Sequence, residues 1–187
     1  MLPNLKLVLL ASWAGQVLAG QTPTPLNITA ISTRDGYSVL ECWQLASIPV
    51  DAMSAANYAV GGNTTTATWS RIEPRTYIGQ AWAPHVQLSI ILNGLIRITS
   101  PAPASDNVSA ASTPLPDGEG RPETQVAYIM PGTTKSSVLI AADLKALSTI
   151  AGHYTEFPSD EPTILVQIPF EGDKAPEHTI LHEGACI

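Results

Sequence analysis

The chain is poor in charge, in aromatic rings and in cysteine. Only 13% of its residues are charged, and only nine of these are Lys or Arg. With sixteen acidic residues the net charge is −7, so nucleic acid and anionic membrane would both be repelled and neither is expected as a partner. There is almost no helical period, and no internal repeat of solenoid length. Three catalytic signatures are missing: the G-x-S-x-G nucleophile elbow, the phosphate-binding loop and the dinucleotide fingerprint. Beyond the first twenty residues no segment has the length needed to span a bilayer.

The two cysteines, Cys42 and Cys186, lie far apart in the chain. In an oxidising compartment such an even pair joins. The expected bridge ties the C-terminal tail to an early strand, and closing so long a loop contributes roughly 4–5 kcal/mol in chain-entropy terms.

What is present begins with a leader. Lys6 is the only charge before Arg34, and an apolar run from Leu7 to Ala14 follows it. Small residues at Ala19 and Gly20 complete the pattern of a secretory signal peptide over residues 1–20. Its removal takes Lys6 away and makes the chain still more acidic. No integral membrane association is expected after cleavage; the localisation expected is the secretory pathway. Three sequons agree with that route and predict glycans at Asn27, Asn63 and Asn107.

Residues 21–33, rich in Thr and Pro at their start, read as an N-terminal arm. From Tyr37 a β pattern starts. Both alternating sets of the stretch Tyr37 to Leu45 hold apolar members, so this strand is expected to be covered on both faces. Further strands are expected over Thr64 to Ile72, Arg75 to Gln80, Gln125 to Met130, Ser136 to Ala142, Thr163 to Phe170 and Thr179 to His182. The stretch APHVQLSIILNGLIRIT, Ala83 to Thr99, reads as a hairpin closed at Asn93-Gly94 by a type I′ turn. Val86, Leu88, Ile90 and Leu92 are predicted on one face; His85, Gln87, Ser89 and Ile91 on the other. Residues 100–123 hold clustered prolines and no period, and read as a long loop. The sum is a single all-β domain over 34–187, a sandwich or barrel.

With those strands placed, the chain resembles the cupins, small jelly-roll barrels of the double-stranded β-helix kind. GQAWAPHVQLSIILNGLIRI is similar to the first cupin motif, and LIAADLKALSTIAGHYTEFP to the second with its Gly-His pair. The ending TILVQIPFEGDKAPEHTILHEGAC is similar to the tails of small secreted cupin-like proteins of filamentous fungi. The resemblance implies a cupin-like barrel and a place in natural-product biosynthesis. A metal-binding first motif carries two histidines one residue apart, then a glutamate, then the turn glycine. If Gly94 is that glycine, Gln87 stands at the glutamate's place and Gln80 to Ala83 near the histidines'. If His85 is the first histidine, Gln87 stands at the second and Ile91 at the glutamate's. Either way the motif is incomplete.

Catalytic candidates are His85 and His153. In the cupin arrangement the second-motif histidine meets first-motif residues inside the barrel, which makes His85, Gln87 and His153 the candidate ligands of a divalent metal. Catalytic metal sites generally use three protein ligands drawn from imidazole, thiolate and carboxylate, and glutamine is none of these; no cofactor is therefore assigned. Trp82, Gln87 and Tyr128 are the candidate ligand-binding residues, lining a barrel mouth that takes a flat apolar ligand. His178 and His182, four apart and near Cys186, read as part of a structural tail. Asp143 follows an apolar strand and reads as the cap of the next turn. The expected partner is a small molecule or biosynthetic intermediate. The leading expectation is a metal-independent cyclase or isomerase of a polyketide-like intermediate. A non-catalytic binding or cell-surface protein and a metal-dependent oxidoreductase are the alternatives.

Overall fold

The computed structural model describes residues 24–53, 55–103, 120–133 and 136–186. The leader, the Asn107 sequon and most of the Pro-rich loop lie outside the described residues. Those described form β1 (Asn27–Arg34), β2 (Tyr37–Leu45), β3 (Val50–Ala52), β4 (Ala55–Asn57), β5 (Thr68–Ile72), β6 (Thr76–Ala81), β7 (Gln87–Asn93), β8 (Ile96–Ser100), β9 (Gln125–Ile129), β10 (Val138–Ala141), β11 (His153–Phe157), β12 (Thr163–Pro169) and β13 (His178–Glu183). A single 3-10 turn spans Glu171–Asp173. Among the described residues there is no α-helix, and no helix long and apolar enough to cross a membrane.

The protein is an all-β sandwich of the jelly-roll-like class. One sheet has seven strands in the order β13-β2-β1-β10-β7-β12-β5; the other has four, β6-β11-β8-β9. Strands β3 and β4 make a separate small hairpin. Between the main sheets lies a core built on Ile31, Leu40, Ile91, Ile98, Ile129 and Phe157. The opposite face of the large sheet is covered too: Ile28, Trp43, Leu88 and Ile140 are buried there with Phe170, and Val60 and Ala175 pack against them. Each such side chain taken from water contributes roughly 1.5–3 kcal/mol. Strand β2 is accordingly buried along nearly its whole length on both faces, as its two apolar sets predict.

The alternation read in β7 holds as far as Ile91; Leu92, expected with Val86, Leu88 and Ile90, is instead 51% exposed. Val86, Leu88 and Ile90 belong to the outer cluster, while Gln87, Ser89 and Ile91 face the space between the sheets. The hairpin does not form. Strand β7 pairs with β10 and β12, whereas β8 pairs with β11 and β9. Asn93-Gly94 is the corner at which the chain leaves one sheet for the other. Asn93 Nδ2 donates to the Pro162 carbonyl at 2.7 Å, and Gly94 has φ +83°. A Cβ on Gly94 would lie 2.8 Å from the Thr163 Cα, so glycine is required there by crowding as well as by φ.

The segment read as an arm supplies β1, near the centre of the large sheet between β2 and β10. Its Thr, Ala and Ser residues show little contrast because both of its faces are covered. Strands β3, β4 and β11 likewise go beyond the strands expected from the sequence. Cys42 and Cys186 are disulfide-bonded across 144 residues. The bond holds the end of β13 against β2, and Thr29 Oγ1 accepts from the Cys186 N–H at 3.0 Å.

Candidate functional site

Three distant segments meet at one end of the space between the sheets. The backbone N–H of Ser38 in β2 donates to the Ala151 carbonyl at 2.7 Å, which brings the start of β11 against β2. His153, the first residue of β11, pairs with Ala81 of β6. Asp143 follows β10, and an isolated bridge joins its neighbour Leu144 to Ala83.

Asp143 does not cap a turn. It is fully buried and accepts three hydrogen bonds. Ser38 Oγ donates to Oδ2 at 2.6 Å, His153 Nδ1 bonds the same oxygen at 2.6 Å, and the Ala83 N–H donates to Oδ1 at 3.3 Å. A carboxylate is an acceptor only, so Nδ1 of His153 bears a proton, and in the neutral imidazole Nε2 is then the nitrogen with the lone pair. The geometry matches the histidine–carboxylate half of a catalytic triad, in which the acid fixes the tautomer and orientation of the base.

His153 is 7% exposed, and its open side lines a cavity of about 240 Å³ between the sheets. Gln87, Ser89, Gln167, Ser70 and Thr155 supply polar groups to the cavity, and Ile31, Ile98, Leu139 and Phe157 supply apolar surface. Trp82 forms part of the wall. Its Nε1–H donates to the Ser148 carbonyl at 2.8 Å, and the Lys145 ammonium sits 4.8 Å from its ring. Gly152 packs against β6 and that ring: an added Cβ would run into the Ala81 carbonyl oxygen and come within 2.8 Å of Trp82 Cε2. The Gly-His pair thus has a packing reason: glycine lets β11 start close to the Ala81 backbone and Trp82. A larger surface recess of about 670 Å³ lies near Asn63, Glu171 and Lys174. None of its lining residues is buried, so it holds no desolvated group for chemistry.

Of the residues singled out in the sequence, Gln87, His153 and Trp82 are brought together in this cavity. His85 is not. Strand β7 begins only at Gln87, and His85 sits in the bend before it, where the two-residue strand period does not apply. Its side chain is 60% exposed and its Nδ1 lies 3.2 Å from Asp173 Oδ1. Tyr128 is on the far face of the four-stranded sheet, 52% exposed, beside Arg97 across β8 and β9. The Glu156 carboxylate, hydrogen-bonded to Arg97, holds that guanidinium above its usual range, and Tyr128 adds to the effect.

Among the described residues no group of three His, Cys, Asp or Glu side chains is placed to hold a metal ion. Of the three candidates only His153 offers an imidazole to the cavity; His85 lies elsewhere, and the Gln87 amide is a weak ligand. The residues present do not fit a tight divalent site. His178 stacks on Trp43 with ring centroids 3.5 Å apart and is part of β13, so it serves the packing of the tail. Asn27 and Asn63 are exposed at the surface.

Asp143 and Ser38 are site residues that sequence reasoning missed. The one signal was an aspartate ten residues before a glycine-histidine pair, which gains meaning only once β10 and β11 are placed in facing sheets. Comparison of the chain with protein-family models, with curated proteins and with solved structures gives no match.

Proposed function

We propose that this protein is a secreted, cupin-like isomerase or cyclase of fungal secondary metabolism that moves protons on a polyketide-like intermediate without a metal. One observation carries the reading: a buried aspartate holds Nδ1 of His153, and the imidazole lines a cavity between two sheets. A base placed in this way removes a proton from a carbon next to a carbonyl, and such positioned bases contribute about 10²–10⁴-fold. The C–H electron pair becomes the C=C of an enolate, and the proton goes to Nε2. Return of the proton at another carbon isomerises the compound; attack of the enolate carbon on a second carbonyl closes a ring. The leader, the sequons and the disulfide between Cys42 and Cys186 support export through an oxidising compartment.

The test needs no knowledge of the natural substrate. The neutral ketone α-tetralone is incubated in D2O with the secreted protein, and deuterium uptake at the carbon next to the carbonyl is read by NMR. Wild type is expected to exchange faster than buffer, His153→Gln to fall to the buffer rate, and Asp143→Asn to lose about 100-fold or more through the wrong tautomer. Equal rates for wild type and His153→Gln sink the catalytic reading. The protein would then be read as a carrier that binds its ligand unchanged.

A further inference from the structure

The floor of the cavity carries polar groups that the proton transfer itself does not use. Gln87 and Ser89 are 5% and 4% exposed, Gln167 is half-buried, and all three line the cavity. None of their side chains has a hydrogen-bond partner among the described residues. None of their polar ends is among the sealed, unpartnered buried atoms; they open onto the cavity, so whatever fills it, water or ligand, supplies their hydrogen-bond partners.

Their positions are set by the sheet. Strands β7 and β12 pair so that Gln167 stands opposite Ser89, and Pro169 opposite Gln87. Gln87 and Ser89 are two residues apart on one face, which places them about 7 Å from each other, and Gln167 is about 5 Å across from Ser89. The three polar ends form one edge on the seven-stranded sheet. His153 and Phe157 face them from β11 of the other sheet, and Ile98 from β8.

Charge is as informative as polarity. Among the described residues that line the cavity, only His153 can titrate; no Lys, Arg, Asp or Glu is among them. A carboxylate, phosphate or ammonium brought in would lose its water and meet no counter-charge. A glutamine amide both donates and accepts, so it suits carbonyl and hydroxyl oxygens together.

We infer that Gln87, Ser89 and Gln167 form a charge-free recognition edge that selects an uncharged, enolisable compound with at least two oxygens on one side and an apolar ring on the other. The inference rests on the proposed base only for the chemical step after binding. When the proton leaves carbon for His153 Nε2, the neighbouring carbonyl oxygen takes the negative charge, and a glutamine N–H on that oxygen stabilises it. The cavity of about 240 Å³ equals roughly eight waters at ~30 Å³ each, enough for one small aromatic compound.

Three probes of similar shape test the edge by calorimetry: benzoylacetone with two neutral oxygens, butylbenzene with none, and phenylbutyrate with a charge. Benzoylacetone is expected to bind at least about tenfold tighter than either of the others, the scale of one or two net hydrogen bonds. The double variant Gln87→Leu/Gln167→Leu is expected to lose that preference while butylbenzene affinity stays within about twofold. If circular dichroism shows the double variant unfolded, Ser89→Ala and Gln167→Leu alone each carry an expected loss of about threefold. Equal affinity for all three probes, a preference for phenylbutyrate, no binding of any probe, or a preference that survives the substitutions overturns the inference. The two claims separate in His153→Gln. There the recognition edge predicts an intact preference for benzoylacetone, whatever becomes of deuterium exchange.

Discussion

Among the described residues two histidine–aspartate pairs stand in opposite settings. His85 and Asp173 meet at the surface, 3.2 Å apart, with side chains 60% and 38% exposed. His153 and Asp143 meet in the interior, 2.6 Å apart, with side chains 9% and 0% exposed. The rim pair joins the bend before β7 to the 3-10 turn, and Asp173 also accepts from the Val86 N–H at 3.0 Å. Water screens it, and such pairs contribute little. The interior aspartate has three donors and is closed off from solvent. Identical residue types thus give a loop fastener in one place and an oriented base in the other. What separates them is burial and the third partner, Ser38.

The difference can be broken by substitution. Asp143→Ala leaves a buried hydroxyl, an imidazole N–H and a backbone N–H unsatisfied, and should cost on the order of 3–5 kcal/mol in urea unfolding. Asp173→Ala should cost no more than ~1 kcal/mol; similar losses for the two would show the settings to be equivalent. Gly152→Ala should cost about 1–3 kcal/mol by overpacking against the Ala81 carbonyl and Trp82, with a change in tryptophan fluorescence that a substitution at the rim does not produce. Ser38→Ala removes one of the three donors to Asp143 and should cost about 1 kcal/mol, with a smaller loss of ketone deuteration than Asp143→Asn. His85→Ala should be the mildest, under ~1 kcal/mol, and its effect should vanish at about 1 M salt, where surface ion pairs are screened.

The strands with strong contrast were legible in the sequence, and so was the all-β class. Tyr37 to Leu45 and Thr163 to Phe170 read correctly because β-branched and apolar residues crowd into short runs bounded by turns. The alternation of β7 placed Gln87 and Ser89 on the inner face. Asn93-Gly94 misled because its signal is local. Positive φ at glycine serves a corner between sheets as well as a hairpin, and only the partners of β7 and β8 tell the two apart. His85 misled for a related reason: a strand period was carried one bend too far. Asp143 could not be read from its neighbours at all, since its donors Ser38 and His153 lie 105 and 10 residues away. Its role is a property of sheet packing, which sequence spacing does not encode.

The strand order has one more consequence. Among the main-sheet neighbours only β1 and β2 are joined by a short turn; β8 and β9 are consecutive but separated by residues 101–124, and the other pairings connect segments far apart in the chain. The cavity takes residues from Ile31 at one extreme to Gln167 at the other, so no early fragment of the chain can make it. Such non-local topologies fold slowly, and this site exists only when the last of its strands has docked. Any molecule that fits it binds the native state alone and shifts the folding equilibrium by mass action. A rise in melting temperature across a compound library, lost in Gln87→Leu/Gln167→Leu, would therefore report occupancy of this cavity before any reaction is known.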